Sequence, residues 1–163
     1  MTAPGTVLLP APKDVRDMLA GLLGKPVQVS PGGPVTPARG KPVSVAVYVD
    51  PQMAVNALCV MDLAASAYTG GALALLPPGG CQDAVEEDGE LSGTMAEALH
   101  EVVNVLSAMF NTPGAPHSKL HKLFVPGDEI DGDIAGMLAA FNRIDLVVEI
   151  PGYGKGGLSL VLP

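Results

Sequence analysis

The chain has 163 residues, 48% hydrophobic and 16% charged, a composition that builds a packed core rather than a disordered polymer. Seventeen acidic residues against nine Lys and Arg give a formal net charge of −8, which argues against a surface for nucleic acid or an anionic membrane. Two cysteines, Cys59 and Cys81, fit neither a disulfide framework nor a CxxC site and read as reduced thiols, one in an apolar strand and one in a loop.

The first residues, MTAPGTVLLPAPKD, lack the basic start and the apolar length of a signal peptide. Residues 1–11 are expected to form a flexible arm on a single domain spanning 1–163. A helix follows from Pro12 to Leu23, with Val15, Met18, Leu19 and Leu22 at helical spacing and Gly24 and Pro26 as the stop. The segment from Ser30 to Pro42, rich in Pro and Gly, reads as a long loop.

Val43–Val49, VSVAVYV, reads as a strand, and Asp50-Pro51-Gln52 turns it into a second, antiparallel strand from Met53 to Met61. Asp62 is placed to cap a helix from Leu63 to about Leu76. The most apolar region, Met53 to Leu76, is broken by Asn56, Asp62 and Gly70-Gly71, so no membrane span is expected and the chain reads as cytoplasmic. Residues 77–89 read as a loop, and Glu90 to Phe110 as the longest helix. Lys119 to Val125 is expected to be a strand, and Gly127 to Asn142 to hold a short helix carrying Ile134, Leu138 and Phe141. Ile144–Ile150 and Leu158–Leu162 form a hairpin about the turn PGYGKGG. The pattern is a mixed α/β (α+β) fold, a mostly antiparallel sheet packed against helices.

Most chemistry-bearing candidates have a plainer explanation. The Gly-Lys pair of Pro151–Gly157 lacks the glycine spacing and following Ser/Thr of a phosphate loop and lies between strands, which favours a hairpin turn. His117 and His121 lie four apart on an expected strand, about 13 Å along it, too far to share an ion. His100 has no assured partner, so no metal site is expected. No Gly-x-Ser-x-Gly elbow is present, and neither cysteine has a local base. The acidic runs Glu86-Glu87-Asp88 and Asp128 to Asp133 read as solvated surface, the second lacking the regular ligands of a calcium loop.

The long helix is different. At about 100° per residue, Glu97, Glu101 and Asn104 fall on one stripe, opposite Met95, Leu99, Val102, Val103, Leu106 and Phe110. Glu on a solvated face is ordinary, but a mid-helix Asn costs about 0.5 kcal/mol relative to Ala and has no folding rationale.

With its setting, this stripe resembles the signature of the CheC/CheX/FliY phosphatases of bacterial chemotaxis. That signature is Asp or Ser, three residues, Glu, two residues, Asn, then about twenty-two residues to a Pro. Glu101 and Asn104 match the Glu and Asn, and Pro126 follows Asn104 after twenty-one residues. Glu97 occupies the Asp/Ser position, and Ala108 stands where a Gly is often found four residues after the Asn. The order of elements is similar to CheX, with one signature helix, across nearly the whole chain.

The resemblance implies hydrolysis of the aspartyl phosphate of a CheY-type response regulator. Asn104 would orient the attacking water, and Glu101 would pair with the regulator's lysine. Glu97 would add a partner contact at the rim. No metal or cofactor is implied for this chain, because the Mg²⁺ sits on the partner regulator. The resemblance also implies a homodimer, as for CheX. A noncatalytic module docking a response regulator or a flagellar switch component is the alternative on the same fold, and a purely structural helix face is the third reading.

Overall fold

The structure is a computed structural model that describes residues 7–163. Helix α1 (Pro12–Leu23) starts on a proline in its first turn and is capped by the Asp14 carboxylate, which accepts the Ala11 N–H at 3.1 Å. Its Val15, Leu19 and Leu23 are buried. Of the expected flexible arm, residues 7–11 are described: Val7 and Pro10 are buried and Leu9 packs on the same core. Apolar contact holds that stretch to the body. The rest of the arm lies outside the described residues.

Strand β1 (Gln28–Pro31) runs into the start of the loop expected from Ser30. It is short and largely exposed, and it pairs at the sheet edge with a strand far along the chain. Strand β2 (Val43–Val49) is buried over its whole length, because both faces of the sheet are covered there. Asp50 Oδ1 accepts the N–H groups of Gln52 and Ala54, each at 2.9 Å, and closes the turn into β3 (Val55–Asp62).

Helix α2 (Leu63–Leu73) begins where β3 ends. Asp62 Oδ1 accepts the Ala65 N–H at 2.8 Å as the expected cap, while Oδ2 accepts the Gly157 N–H at 2.8 Å. The helix stops short of Leu76. The loop expected over 77–89 is instead helical, as α3 (Pro78–Asp83) and a π-turn over Ala84–Asp88. Pro78 suits a first turn, and Cys81 and Ala84 gain burial against α2, with the Cys81 sulfur against Gly71. Cys81 is therefore a buried helical residue, not a loop thiol.

Helix α4 (Gly93–Leu106) is capped by Ser92, whose Oγ accepts the Met95 N–H at 3.2 Å, and it tightens into a 3-10 turn over Ser107–Phe110. Strand β4 (Lys119–Phe124) and helix α5 (Gly132–Met137) follow. Ile134 and Leu138 are buried as expected, but Phe141 lies beyond the end of α5 and is fully exposed.

The hairpin consists of β5 (Arg143–Ile150) and β6 (Gly154–Val161). Its turn is shorter than expected, and the glycine-rich stretch from Gly154 belongs to β6. The reason is steric. A Cβ on Gly156 would sit 2.6 Å from Ala65 Cα, so only glycine lets the strand pass beneath α2.

All pairings are antiparallel, in the order β1-β5-β6-β3-β2-β4. One face, carrying Ala46, Tyr48, Cys59, Met61, Leu158 and Leu160, packs against α1, α2 and α4. The other, carrying Val45, Val47, Leu58, Val60 and Val161, is covered by Val35, Ile134 and Leu138. A polar chain fastens that cover. Ser159 Oγ donates to Asp145 Oδ1 at 2.6 Å and accepts the Val35 N–H at 3.0 Å. Arg143 reaches Asp145 at 3.0 Å and the Leu138 carbonyl at 2.7 Å. Among the described residues, no helix is long and apolar enough to cross a membrane.

Candidate functional site

Helix α4 is held by an unusually small-featured neighbour. Ala65, Ser66, Ala67, Thr69, Gly70, Gly71 and Ala72 of α2 are all buried, so the two helix backbones approach closely. A Cβ on Gly70 would lie 2.6 Å from the Met95 carbonyl oxygen. Onto this platform α4 lays Met95, Leu99, Val102, Val103 and Leu106, all buried.

The opposite side of α4 carries Glu97, His100, Glu101 and Asn104, all exposed. Among the described residues, the Glu97, Glu101 and Asn104 side chains make no hydrogen bond or ion pair within the chain, although ion pairs form elsewhere at Lys13–Asp17, Arg16–Asp17 and Arg143–Asp145. The helix thus presents a carboxylate and a carboxamide one turn apart, both open to an incoming group. A carboxylate accepts charge-assisted hydrogen bonds, and a carboxamide both donates and accepts.

Beside the stripe, Ala96, Glu97, His100, Leu123 and Val125 line a shallow groove of about 410 Å³ between α4 and the end of β4. Pro126 follows at once and is buried, in a turn closed by the Asp128 N–H donating to the Val125 carbonyl at 3.0 Å. The Glu/Asn helix and the Pro-terminated strand therefore bound one patch of surface. His100, given no partner by the sequence, belongs to that groove.

Around Asn104 the backbone is held by two hydroxyl groups. Ser107 donates its Oγ–H to the Asn104 carbonyl at 2.6 Å, and the Ser107 N–H turns to the same carbonyl as the helix tightens. Tyr48, next to the last residue of β2, donates its hydroxyl to the Val103 carbonyl at 2.6 Å. Its ring is fully buried and packs at 5.3 Å from the Phe110 ring, tilted by 53°. Burial pushes the Tyr48 hydroxyl well above its ordinary pKa, so it remains a neutral donor. Neither hydroxyl was singled out from the sequence. Ser107 offered a signal, lying three residues after Asn104, whereas Tyr48 is 55 residues from its acceptor.

The other candidates lie apart from this patch. His117 and His121 are exposed near and on β4, and Asp128 to Asp133 occupy an exposed turn before and into α5. Among the described residues, no three His, Cys, Asp or Glu side chains converge to hold a metal ion. Cys59 is buried and its thiol is pushed up to about 12, and burial also raises Cys81, so neither thiol is activated as a nucleophile.

No family model and no curated protein sequence matches the chain. Solved structures match it in fold. FliM of the FliM–SpeE complex from H. pylori superposes with a TM-score of 0.59 at 12% identity, over 93% of this chain and 81% of the other. Thermotoga maritima FliY gives 0.55 at 15% identity, over 91% of this chain and 81% of the other. CheX in the CheX–CheY–BeF3–Mg²⁺ complex from Borrelia burgdorferi gives 0.52 at 14% identity, over 91% and 92% of the two chains. The chain has the fold of the CheC/CheX/FliY group, which the FliM middle domain shares.

Proposed function

We propose that this protein binds a CheY-type response regulator through the exposed face of α4 and hydrolyses its aspartyl phosphate in the cytoplasm. The observation that carries the proposal is the joint exposure of Glu101 and Asn104, unpaired among the described residues, on a helix buried along its other side. The similarity in fold to CheX, which its structure records in complex with CheY, supports the choice of partner.

Asn104 accepts a hydrogen bond from a water through its carboxamide oxygen and donates through its NH₂, aligning the water behind the phosphorus. Glu101 pairs with a lysine on the regulator and sets the register of docking. Glu97 touches the partner at the rim, next to the groove. Phosphoryl transfer depends chiefly on positioning and electrostatics, and two placed side chains suffice when the partner supplies the phosphoryl group and its counter-charges. Mg²⁺ belongs to the regulator, where it neutralises charge on the phosphoryl oxygens.

The test is the decay rate of a phosphorylated CheY-type regulator with wild type, Asn104→Ala and Glu101→Ala. Wild type accelerates decay; Asn104→Ala abolishes the acceleration while retaining binding, by a factor of about 10² or more. Glu101→Ala weakens binding as well. Decay unchanged by wild type removes the enzymatic reading for that regulator.

A second reading is a docking module without hydrolysis. It is favoured by the FliM structures in this fold, which are recorded in complexes with FliG and with SpeE. Regulator binding without faster decay selects it. The similarity to CheX also motivates a homodimer, which sedimentation at micromolar concentration tests directly.

A further inference from the structure

The two peptide groups that flank the Asn104 Cα each carry an additional hydroxyl donor, and one of them comes from a buried strand rather than from the helix. The carbonyl before Asn104, that of Val103, accepts the Tyr48 hydroxyl at 2.6 Å. The carbonyl after it, that of Asn104 itself, accepts Ser107 Oγ–H at 2.6 Å. In a continued α-helix the Val103 carbonyl would accept the Ser107 N–H. Here that N–H turns to Asn104, and the helix passes into its 3-10 turn. The tyrosine takes the place of the lost ladder bond.

The sheet prepares Tyr48 for this. Its register shifts on both sides, between Tyr48 and Val49 against β3 and between Val47 and Tyr48 against β4. Asn56 on β3 and His121 on β4 are the extra residues left by these shifts. Bulges re-aim side chains and sharpen twist. Both extra residues sit on the neighbouring strands, so β3 and β4 bend on either side of Tyr48. A phenylalanine would fill the same space beside Phe110, so the hydroxyl is what the packing alone leaves unexplained.

We infer that Tyr48 is a positioning residue for Asn104: its hydroxyl fixes the Val103–Asn104 peptide and, with Ser107, aims the Asn104 carboxamide. The inference rests on the proposed role of Asn104 and names what sets its geometry. Near-attack geometry tolerates little error, and a displacement of about 1 Å can cost about 10² in rate. Without the hydroxyl, the Val103 carbonyl recaptures the Ser107 N–H. The α-helix then extends by a residue, and the Asn104 side chain swings with it.

The experiment compares wild type, Tyr48→Phe, Ser107→Ala and Asn104→Ala, with a phosphorylated CheY-type regulator for turnover and the same regulator with beryllofluoride for affinity. Tyr48→Phe keeps affinity within about twofold and lowers maximal turnover about tenfold; Ser107→Ala acts in the same direction but less. A merely structural role would lower affinity and turnover together as the fold loosens, and that result overturns the inference. So does wild-type turnover in Tyr48→Phe when Asn104→Ala is inactive.

A failure of the Asn104 role itself is seen separately, as Asn104→Ala matching wild type. The aiming geometry is then decided by NMR alone. In Tyr48→Phe, the coupling across the hydrogen bond from the Ser107 nitrogen is expected to move from the Asn104 carbonyl to that of Val103, with a shift of the Asn104 carboxamide resonances. Unchanged couplings and resonances would overturn it.

Discussion

Helices α2 and α4 pack face to face yet follow opposite rules. α2 is buried on nearly every side, has little amphipathic character, and is built largely from Ala, Gly, Ser and Thr. α4 is amphipathic, with large side chains below and polar ones above. The first is a pedestal whose value lies in being thin, and the second is the surface it raises. Thinness is what lets the two helix backbones approach closely, while α4 itself meets the sheet where a strand tyrosine reaches its backbone. The chemistry of the exposed helix therefore depends on the smallness of the hidden one.

The largest effect is expected from thickening the pedestal. Gly70→Val places side-chain atoms against the Met95 carbonyl and should destabilise the fold by about 3 kcal/mol in urea unfolding. Gly136→Ala, on α5 with open space around it, is the control and should be close to neutral. Equal effects from the two would mean that the contact between α2 and α4 is not tight.

An intermediate effect comes from alkaline pH, read at the buried Cys59 thiol and Tyr48 hydroxyl. The Cys59 thiol is raised from 9.0 to about 12 by burial, and Tyr48 is raised in the same direction. The unfolded chain then loses these protons before the folded one does. Stability is full below about pH 9 and falls as pH rises toward the folded value. For Cys59 the fall is on the order of 2 kcal/mol between pH 9 and pH 10.5. Cys59→Ala lowers stability at neutral pH but flattens this slope, as urea titrations from pH 7 to pH 10.5 will record. A slope unaltered by the substitution would assign the effect elsewhere.

The smallest effect is expected on the exposed side. Glu101→Ala and Asn104→Ala should change stability by less than about 0.5 kcal/mol, with Asn104→Ala slightly stabilising. A loss above about 1 kcal/mol from either would place that residue in the scaffold rather than in a site.

How much of this was legible follows from range. The α1 pattern, the Val-rich β2, the Asp62 cap and the two faces of α4 are local signals, and each matches its element. The stripe of Glu97, Glu101 and Asn104 could be placed on one face by helical spacing alone. What escaped was set by distant partners. β1 is four mostly exposed residues whose strand character exists only beside β5. α3 is hidden behind a Pro-Pro-Gly-Gly stretch and is held by contact with α2. The glycines after Gly154 read as turn because the helix crossing above them is invisible in sequence. Tyr48 looked like one more strand residue, since nothing in VSVAVYV discloses that its hydroxyl meets a helix carbonyl.

The strand order carries a consequence for how the chain comes to exist. The hairpin of β5 and β6 fills the space between β1 and β3, so two early strands wait for residues about a hundred positions downstream. During synthesis, the sheet-edge side of β3, with its buried Leu58, Cys59, Val60 and Met61, stays open until β6 has left the ribosome. Such long-range closure is slow, and an unpaired apolar strand is a template for wrong partners. For a nascent copy, the stretch Arg143–Val161 is where the sheet passes from a sticky half to a finished whole, and a chaperone is most useful just before it is made.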